Sequence, residues 1–471
     1  MTEGEGAGRR AITAVVVIAA VAIALFAATR ARKGARRIAA APGVVDVEAD
    51  LATLPALPSP LGDRAFWIGG WVGPAAGDCD PVTWRTHAAA GLDVSMGPLE
   101  DRFRRADNVA RLALLDSLRD ADVRGHEASG VPFVFVRDDS LHPDETTRPG
   151  WEMRVRAVVR ACGGSRSLAG YFLADEPRPA DLASWAPAAR LLRRLDPAHP
   201  AYVNFLPIPA RDAADATARA RWRADVTRAV TAGELALFTF DAYPFGAGDE
   251  QPHFLATLRE AARVSHATAR PFGVVLQWTG HAALRAVTAE EALYEATQAL
   301  AHGASGITWF TYRTPNPDEE PWRWHGGAIA YDGTRTARFD TLAAINRRVR
   351  ALAGARGARP MRAVHFGGGL PAGCVDLEDM RAMAAMVEIS GVASVTGGPG
   401  TIGFTAPAVD GEVRYVLANR DRTRARTFTV TFAPPAPPRD FTLAPGDAVV
   451  FTARTAPPAP DPRTPSRSDR R

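Results

Sequence analysis

The sequence predicts an α/β fold: a (β/α)8 TIM barrel followed by a small C-terminal β-sandwich, with one N-terminal transmembrane helix. Three observations carry this. An unbroken apolar run opens the chain, eight short apolar runs then alternate with longer amphipathic ones, and near residue 360 the pattern changes to short strands split by turns.

The first element is Ala11 to Ala28, apolar throughout except Thr13. As a helix it would be about 27 Å long, close to a hydrocarbon core of about 30 Å. Arg9 and Arg10 precede it, and Arg30, Arg32, Lys33, Arg36 and Arg37 follow. We read residues 1–30 as a membrane anchor or signal segment, with Ala39-Ala40-Ala41 as a weak cleavage site. Residues 31–63, basic and then rich in Pro and Ala, form a tether. The basic residues after the span favour a cytoplasmic body. The substrate class argued below favours an extracytoplasmic one, anchored or secreted, and that is the reading adopted.

Residues 64–355 hold the barrel. The predicted strands are Phe66–Val72, Leu92–Met96, Pro132–Arg137, Leu168–Ala174, Ala201–Phe205, Leu235–Asp241, Phe272–Trp278 and Gly306–Thr311. Asp80-Pro81 and Thr288-Ala-Glu-Glu291 mark helix starts, and Leu191, Leu192 and Leu195 form an apolar helix face. Eight such units in about 290 residues fit a barrel of typically ~250. A doubly wound sheet would show an early Gly-rich phosphate loop, and there is none. In residues 356–453, strands at Val413–Leu417, Thr427–Phe432 and Ala448–Thr452 are separated by turns at Val409-Asp-Gly411 and Pro445-Gly-Asp447, as in a β-sandwich. Residues 454–471, rich in Pro, Arg and Ser, read as a disordered tail.

Composition excludes several classes. The 471 residues carry a net charge of +4. Much of the basic excess lies at the ends, so no nucleic-acid face is expected. Cys79, Cys162 and Cys374 are too few and too dispersed for a disulfide framework or a metal site. His126, His142, His199, His281 and His302 show no ligand spacing, so no metal is expected. No cofactor motif is present. Lys33, the only lysine, precedes the barrel, which argues against Schiff-base chemistry.

Catalytic groups of such a barrel sit at the C-terminal ends of its strands. Those ends carry Trp71, Asp93, Asp138, Asp175-Glu176, Asn204, Asp241 with Tyr243, Gln277-Trp278, and Trp309 with Tyr312. Carboxylates with amides and aromatic rings are what a sugar site requires. Trp322, Trp324 and His325 fall in the long eighth loop, where substrate contact or lid packing would account for the indoles.

The run Gly170-Tyr-Phe-Leu-Ala-Asp-Glu-Pro177 resembles the fourth-strand end of the glycoside hydrolase clan that includes β-galactosidases and cellulases. Leu195-Asp-Pro-Ala-His-Pro200, Phe240-Asp-Ala-Tyr-Pro244, Val275-Leu-Gln-Trp278 and Gly303-Ala-Ser-Gly-Ile-Thr-Trp-Phe310 are also similar to that superfamily, over about residues 64 to 350. The resemblance implies Glu176 as catalytic acid. It also implies a nucleophilic glutamate at the end of strand seven, where this chain has Gln277. A neutral amide cannot form a glycosyl ester, so Asp241 is the preferred second carboxylate and Asp138 the next. Asp175 is adjacent to Glu176 and would face the other way unless the strand has already broken.

The expected function is hydrolysis of a glycosidic bond in an oligo- or polysaccharide. Glu176 and Asp241 would be catalytic, and Trp71, Asp138, Asp175, Asn204, Tyr243, Gln277, Trp278, Trp309 and Tyr312 would bind substrate. The alternative is a non-catalytic carbohydrate-binding surface protein on a degenerate barrel.

Overall fold

The computed structural model describes residues 66–454, apart from 75, 97–104, 125–130, 142–147, 178–181, 247–251, 355–359, 368–390, 409 and 433–436. The expected anchor, tether and tail lie outside the described residues, as do His126, His142 and Cys374. Among the described residues no helix is long and apolar enough to cross a membrane.

Eight parallel strands close into a barrel in sequential order, β8 pairing with β1. They are β1 (Trp67–Gly70), β2 (Val94–Ser95), β3 (Phe133–Val136), β4 (Leu168–Asp175), β5 (Ala201–Phe205), β6 (Phe238–Ala242), β7 (Phe272–Gln277) and β8 (Gly306–Phe310). The intervening helices are α1 (Pro81–Ala89), α2 (Arg105–Arg124), α3 (Trp151–Cys162), α4 (Leu182–Leu195), α5 (Ala216–Ala232), α6 (His253–Thr268), α7 (Ala289–Ala301) and α8 (Arg338–Ala353). Both predicted helix starts are present. The Asp80 carboxylate accepts from the Val82 and Thr83 amides, and Thr288 and Glu291 form a reciprocal capping box.

Strand parity divides the barrel into two cores. Outward positions such as Phe238, Phe240, Val274, Leu276, Ile307 and Trp309 pack beneath the helices. Inward positions form a separate aromatic-rich cluster that includes Trp67, Trp71, Phe135, Phe172, Tyr202 and Val275. Trp67 fills the barrel floor so closely that a Cβ at Gly273 or Gly306 would run into its indole. These glycines let one large ring replace several smaller interior side chains.

The remaining strands form two antiparallel sheets with a shared apolar core, as in a sandwich. One sheet has the order β15 (Ala448–Arg454), β12 (Glu412–Asn419), β11 (Gly400–Thr405), β9 (Met361–Phe366). The other runs β10 (Val392–Thr396), β13 (Arg426–Phe432), β14 (Arg439–Leu443). The first sheet docks on α7 and α8. Thr401 donates to Gln298 at 2.7 Å, Thr297 donates to the Gly446 carbonyl at 2.8 Å, and Arg348 makes a two-point ion pair with Asp447 at 2.9 Å. At Gly403 the backbone meets the Ala301 carbonyl too closely for any side chain. His302 and His365 pack against each other in this seam, ring centroids 5.2 Å apart, both buried.

Candidate active site

The carboxyl ends of β4, β5 and β6 bring Asp175, Asn204, Thr239 and Asp241 to the barrel mouth in one inward-facing row. A register shift in β4 between Phe172 and Ala174 makes this possible. It puts Asp175 opposite Asn204, and Asn204 in turn stands opposite Thr239. The Asn204 amide nitrogen donates to Asp175 Oδ1 and to Asp241 Oδ1, both at 3.0 Å. Its carbonyl accepts from the Thr239 hydroxyl at 2.8 Å, which fixes the amide orientation.

The strand breaks one residue later. Glu176 has φ of +47°, in the left-handed region, while its amide still donates to the Asn204 carbonyl at 2.8 Å. This break cancels the alternation that would have sent Asp175 and Glu176 to opposite faces. Glu176 is exposed, and its carboxyl lies within hydrogen-bonding reach of Asp241. A left-handed glutamate costs roughly 1–2 kcal/mol of backbone strain, and such residues cluster at functional sites.

Three carboxyls in one mouth cannot all ionise freely. Burial raises the Asp241 carboxyl well above the usual carboxylate range, and the charges of Glu176 and Asp175 raise it further. Asp175 is pushed up to about 6, first by lost solvation and then by Glu176, against the lowering effects of the Asn204 hydrogen bond and Arg137. Asp175 keeps an exposed face, so solvent screens part of that rise. Tyr243 is raised by burial and then by Asp241, Asp175 and Glu176, which places its phenol beside the carboxyls.

Aromatic rings complete the mouth. Tyr243 stacks on Phe310 with centroids 5.1 Å apart, and Trp71 meets Phe172 edge-on at 5.4 Å and Phe310 at 6.3 Å. The Phe310–Thr311 peptide is cis. The Arg137 guanidinium lies 5.5 Å from the Phe172 ring centroid.

Of the residues expected at the site, Glu176, Asp241, Asp175, Asn204, Tyr243 and Trp71 come together. Five do not join them. Gln277 is fully buried. Its carbonyl accepts from the Phe245 amide at 2.9 Å, and its nitrogen donates to the Phe245 and Arg285 carbonyls at 2.8 and 2.7 Å. The whole amide is consumed in tying the sixth and seventh loops. Trp278 and Trp309 have outward strand parity and are 0% exposed. They meet each other at 5.9 Å; Arg338 covers Trp278, and the Trp309 indole donates to Asn346 at 2.7 Å. Asp138 is buried and caps the turn after β3, accepting from the Ser140 amide at 2.9 Å. Tyr312 is buried edge-on against His87, 4.8 Å away, under α1. Asp93 is likewise structural, accepting from the Ile68 amide at 3.1 Å and from Arg350 at 2.9 Å.

Sequence reasoning missed Phe310, Phe172, Arg137 and the contact role of His281. Parity could have found Phe310, because Gly306 faces inward and the fourth residue on must do the same. Trp322 and Trp324 of the eighth loop reach the site edge. Trp324 stacks on His281 at 4.4 Å and lies 5.7 Å from Phe310.

Among solved structures, a β-galactosidase from Rahnella sp. R3 matches with a TM-score of 0.52 at 11% identity, covering 85% of this chain and 100% of that one. A β-galactosidase from the psychrophilic Marinomonas ef1 matches at TM-score 0.44 and 10% identity, over 61% of this chain and 60% of its own length. A family 39 glycoside hydrolase from Bacteroides cellulosilyticus WH2 matches at TM-score 0.44 and 11% identity, over 84% and 80%. The chain thus spans less than two thirds of the Marinomonas enzyme. At these identities the likeness is one of fold, carried by the Rahnella structure: the chain has the (β/α)8 barrel found in glycoside hydrolases. No protein-family model and no curated protein matches the chain.

Proposed function

We propose that this protein is a glycoside hydrolase acting on an oligo- or polysaccharide, with Glu176 and Asp241 sharing one catalytic proton. The observation that carries the reading is the contact between the exposed Glu176 carboxyl and the buried Asp241 carboxyl, whose charged form burial disfavours. Burial, and then the charges of Glu176 and Asp175, favour the protonated form of Asp241, which can donate a hydrogen bond to the neighbouring Glu176 carboxyl.

The chemistry follows from that arrangement. As the glycosidic C–O bond breaks, the one proton of the pair moves from Asp241 to Glu176, which delivers it to the leaving oxygen. The pair has then lost one proton, and the resulting Asp241 carboxylate faces the positive charge growing on the sugar ring. Water adds to the anomeric carbon, and its proton returns to the pair. Asp175 adds negative charge beside the site, and Asn204 holds the two aspartates in register. This route does not need the strand-seven carboxylate that Gln277 replaces. Location outside the cytoplasm, tethered through residues 11–28, belongs to the same proposal.

A second reading is favoured by a specific feature. Retaining carboxyl pairs stand about 5–5.5 Å apart and inverting pairs about 6.5–9.5 Å. Glu176 and Asp241 are in contact instead, which would suit a barrel that binds glycans without cleaving them. Glu176→Gln separates the two. For a hydrolase, it removes roughly 10²- to 10⁴-fold of the turnover of unactivated oligosaccharides, and a dinitrophenyl leaving group, which needs little protonation, restores much of it. Glycan binding without any hydrolysis by the wild-type chain would establish the binding reading.

A further inference from the structure

The loop after β8 is pinned to the loop after β7 by a short antiparallel ladder. Gly280 and His325 exchange backbone hydrogen bonds at 2.9 and 3.0 Å, and the Ala282 amide donates to the Trp322 carbonyl at 2.6 Å. Gly280 is required there, because a Cβ would run into the His325 ring. The ladder fixes Trp322 in place while leaving 42% of it exposed. Trp322 stacks on Trp324 at 5.8 Å and meets His281 at 6.0 Å. His281 in turn meets Tyr243 at 6.0 Å, edge-on. Trp322 is therefore two ring contacts from Tyr243, whose phenol feels the charges of Asp241, Asp175 and Glu176.

We infer that Trp322 and His281 form a second sugar subsite, so that the substrate is a neutral glycan of at least two units whose ring beyond the cleaved bond rests on Trp322. This rests on the hydrolase reading and extends it to a substrate class. An indole held open beside a catalytic mouth offers an apolar face to the C–H side of a pyranose. A lone imidazole supplies the polar contact such a face lacks. His281 Nδ1 is sealed without a hydrogen-bond partner among the described residues, whereas Nε2 is not sealed in this way. Burial, and then the neighbouring His325, hold the ring neutral, with its pKa down at about 4. The rings touching His281 are Tyr243, Phe310, Trp322 and Trp324, and none carries a charge that would favour an acidic or amino sugar.

The test uses the full chain with neutral tetrasaccharides of glucose, xylose, galactose and mannose, and the corresponding glycosyl fluorides, which have no second ring. Binding is followed by calorimetry and cleavage by product release. Trp322→Ala is expected to weaken tetrasaccharide binding by about tenfold or more. It is also expected to lower the ratio of tetrasaccharide to fluoride kcat/KM by a similar factor, mainly through KM, with Trp322→Tyr recovering most of the loss. Binding that depends on Trp322 in a chain that cleaves nothing supports the subsite and removes the hydrolase reading. Tetrasaccharide binding and cleavage unchanged in Trp322→Ala overturn the subsite and leave the hydrolase reading standing. Failure of the wild-type chain to bind any tetrasaccharide also overturns the subsite.

Discussion

Asn204 donates to Asp241 Oδ1 at 3.0 Å, and the same nitrogen reaches Asp175 Oδ1 at 3.0 Å. One neutral amide thus holds two carboxyls that would otherwise repel. The hydrogen bond to Asp175 favours its charged form. Asn204→Ala should therefore raise the Asp175 pKa above about 6 and cut turnover by roughly 10- to 100-fold. Carboxyl carbon NMR across the pH range checks the first effect. An unmoved Asp175 titration would show that the amide does not hold that charge.

Glu176 sits in a left-handed backbone conformation that glycine adopts without strain. Glu176→Gly should abolish turnover and also raise unfolding stability by about 1 kcal/mol, since the backbone strain and the repulsion between Glu176 and Asp175 both disappear. Urea unfolding of the two chains measures the difference. A destabilised Glu176→Gly would mean that the glutamate side chain stabilises the fold rather than being held at its expense.

Gln277→Glu installs the residue type that the resemblance places at the end of strand seven. In this barrel it would set a carboxylate against the Phe245 and Arg285 carbonyls. Two donor bonds would be lost and a buried charge left facing two acceptors. The expected cost is at least about 2 kcal/mol, with no gain in turnover. A stable Gln277→Glu with raised activity would show that position 277 can reach substrate.

How much was legible from the chain follows from these residues. Each barrel strand was read from its apolar run because flanking helices carry an independent period. Glu176 and Asp241 are legible from their positions at strand ends alone. What escaped was direction. Trp278 and Trp309 lie at strand ends as expected, but parity turns them outward, while Phe310 turns inward. The register shift in β4 that brings Asp175 into the row depends on pairing with β5, which single-strand alternation does not encode. Gln277 is captured by a backbone segment 32 residues away, a contact with no local signal. In the second domain, β9, β10, β11 and β14 escaped although Gly and Pro flank them, because runs such as Val392-Ala-Ser-Val-Thr396 and Arg439-Asp-Phe-Thr-Leu443 carry few large apolar residues.

The seam between barrel and β-sandwich should make the fold acid-sensitive. Burial lowers His302 to about 4 and holds His365 well below the ordinary histidine value, and it lowers His87 in the barrel to about 3. These rings are neutral when folded, and the unfolded chain takes up protons first as the pH falls below about 6.5. Stability is therefore full above about pH 6.5 and is lost from there down to about 4 for His302 and about 3 for His87, each histidine adding up to about 1.4 kcal/mol per pH unit. Calorimetry at pH 7, 5.5 and 4.5 should show Tm falling steeply, and His365→Gln should flatten the slope. A Tm unchanged over that range would contradict neutral burial of these rings.

The most direct test of a shared catalytic proton is a double-mutant cycle on hydrolysis of an unactivated oligosaccharide. The wild-type chain, Glu176→Gln, Asp241→Asn and the double variant are compared by kcat/KM. Two groups that act as one unit are strongly non-additive. Each single variant should lose roughly 10²- to 10⁴-fold, and the double variant should lose no more than the worse of the two. Losses that multiply in the double variant, or full activity in Asp241→Asn, would contradict a proton held jointly by Glu176 and Asp241.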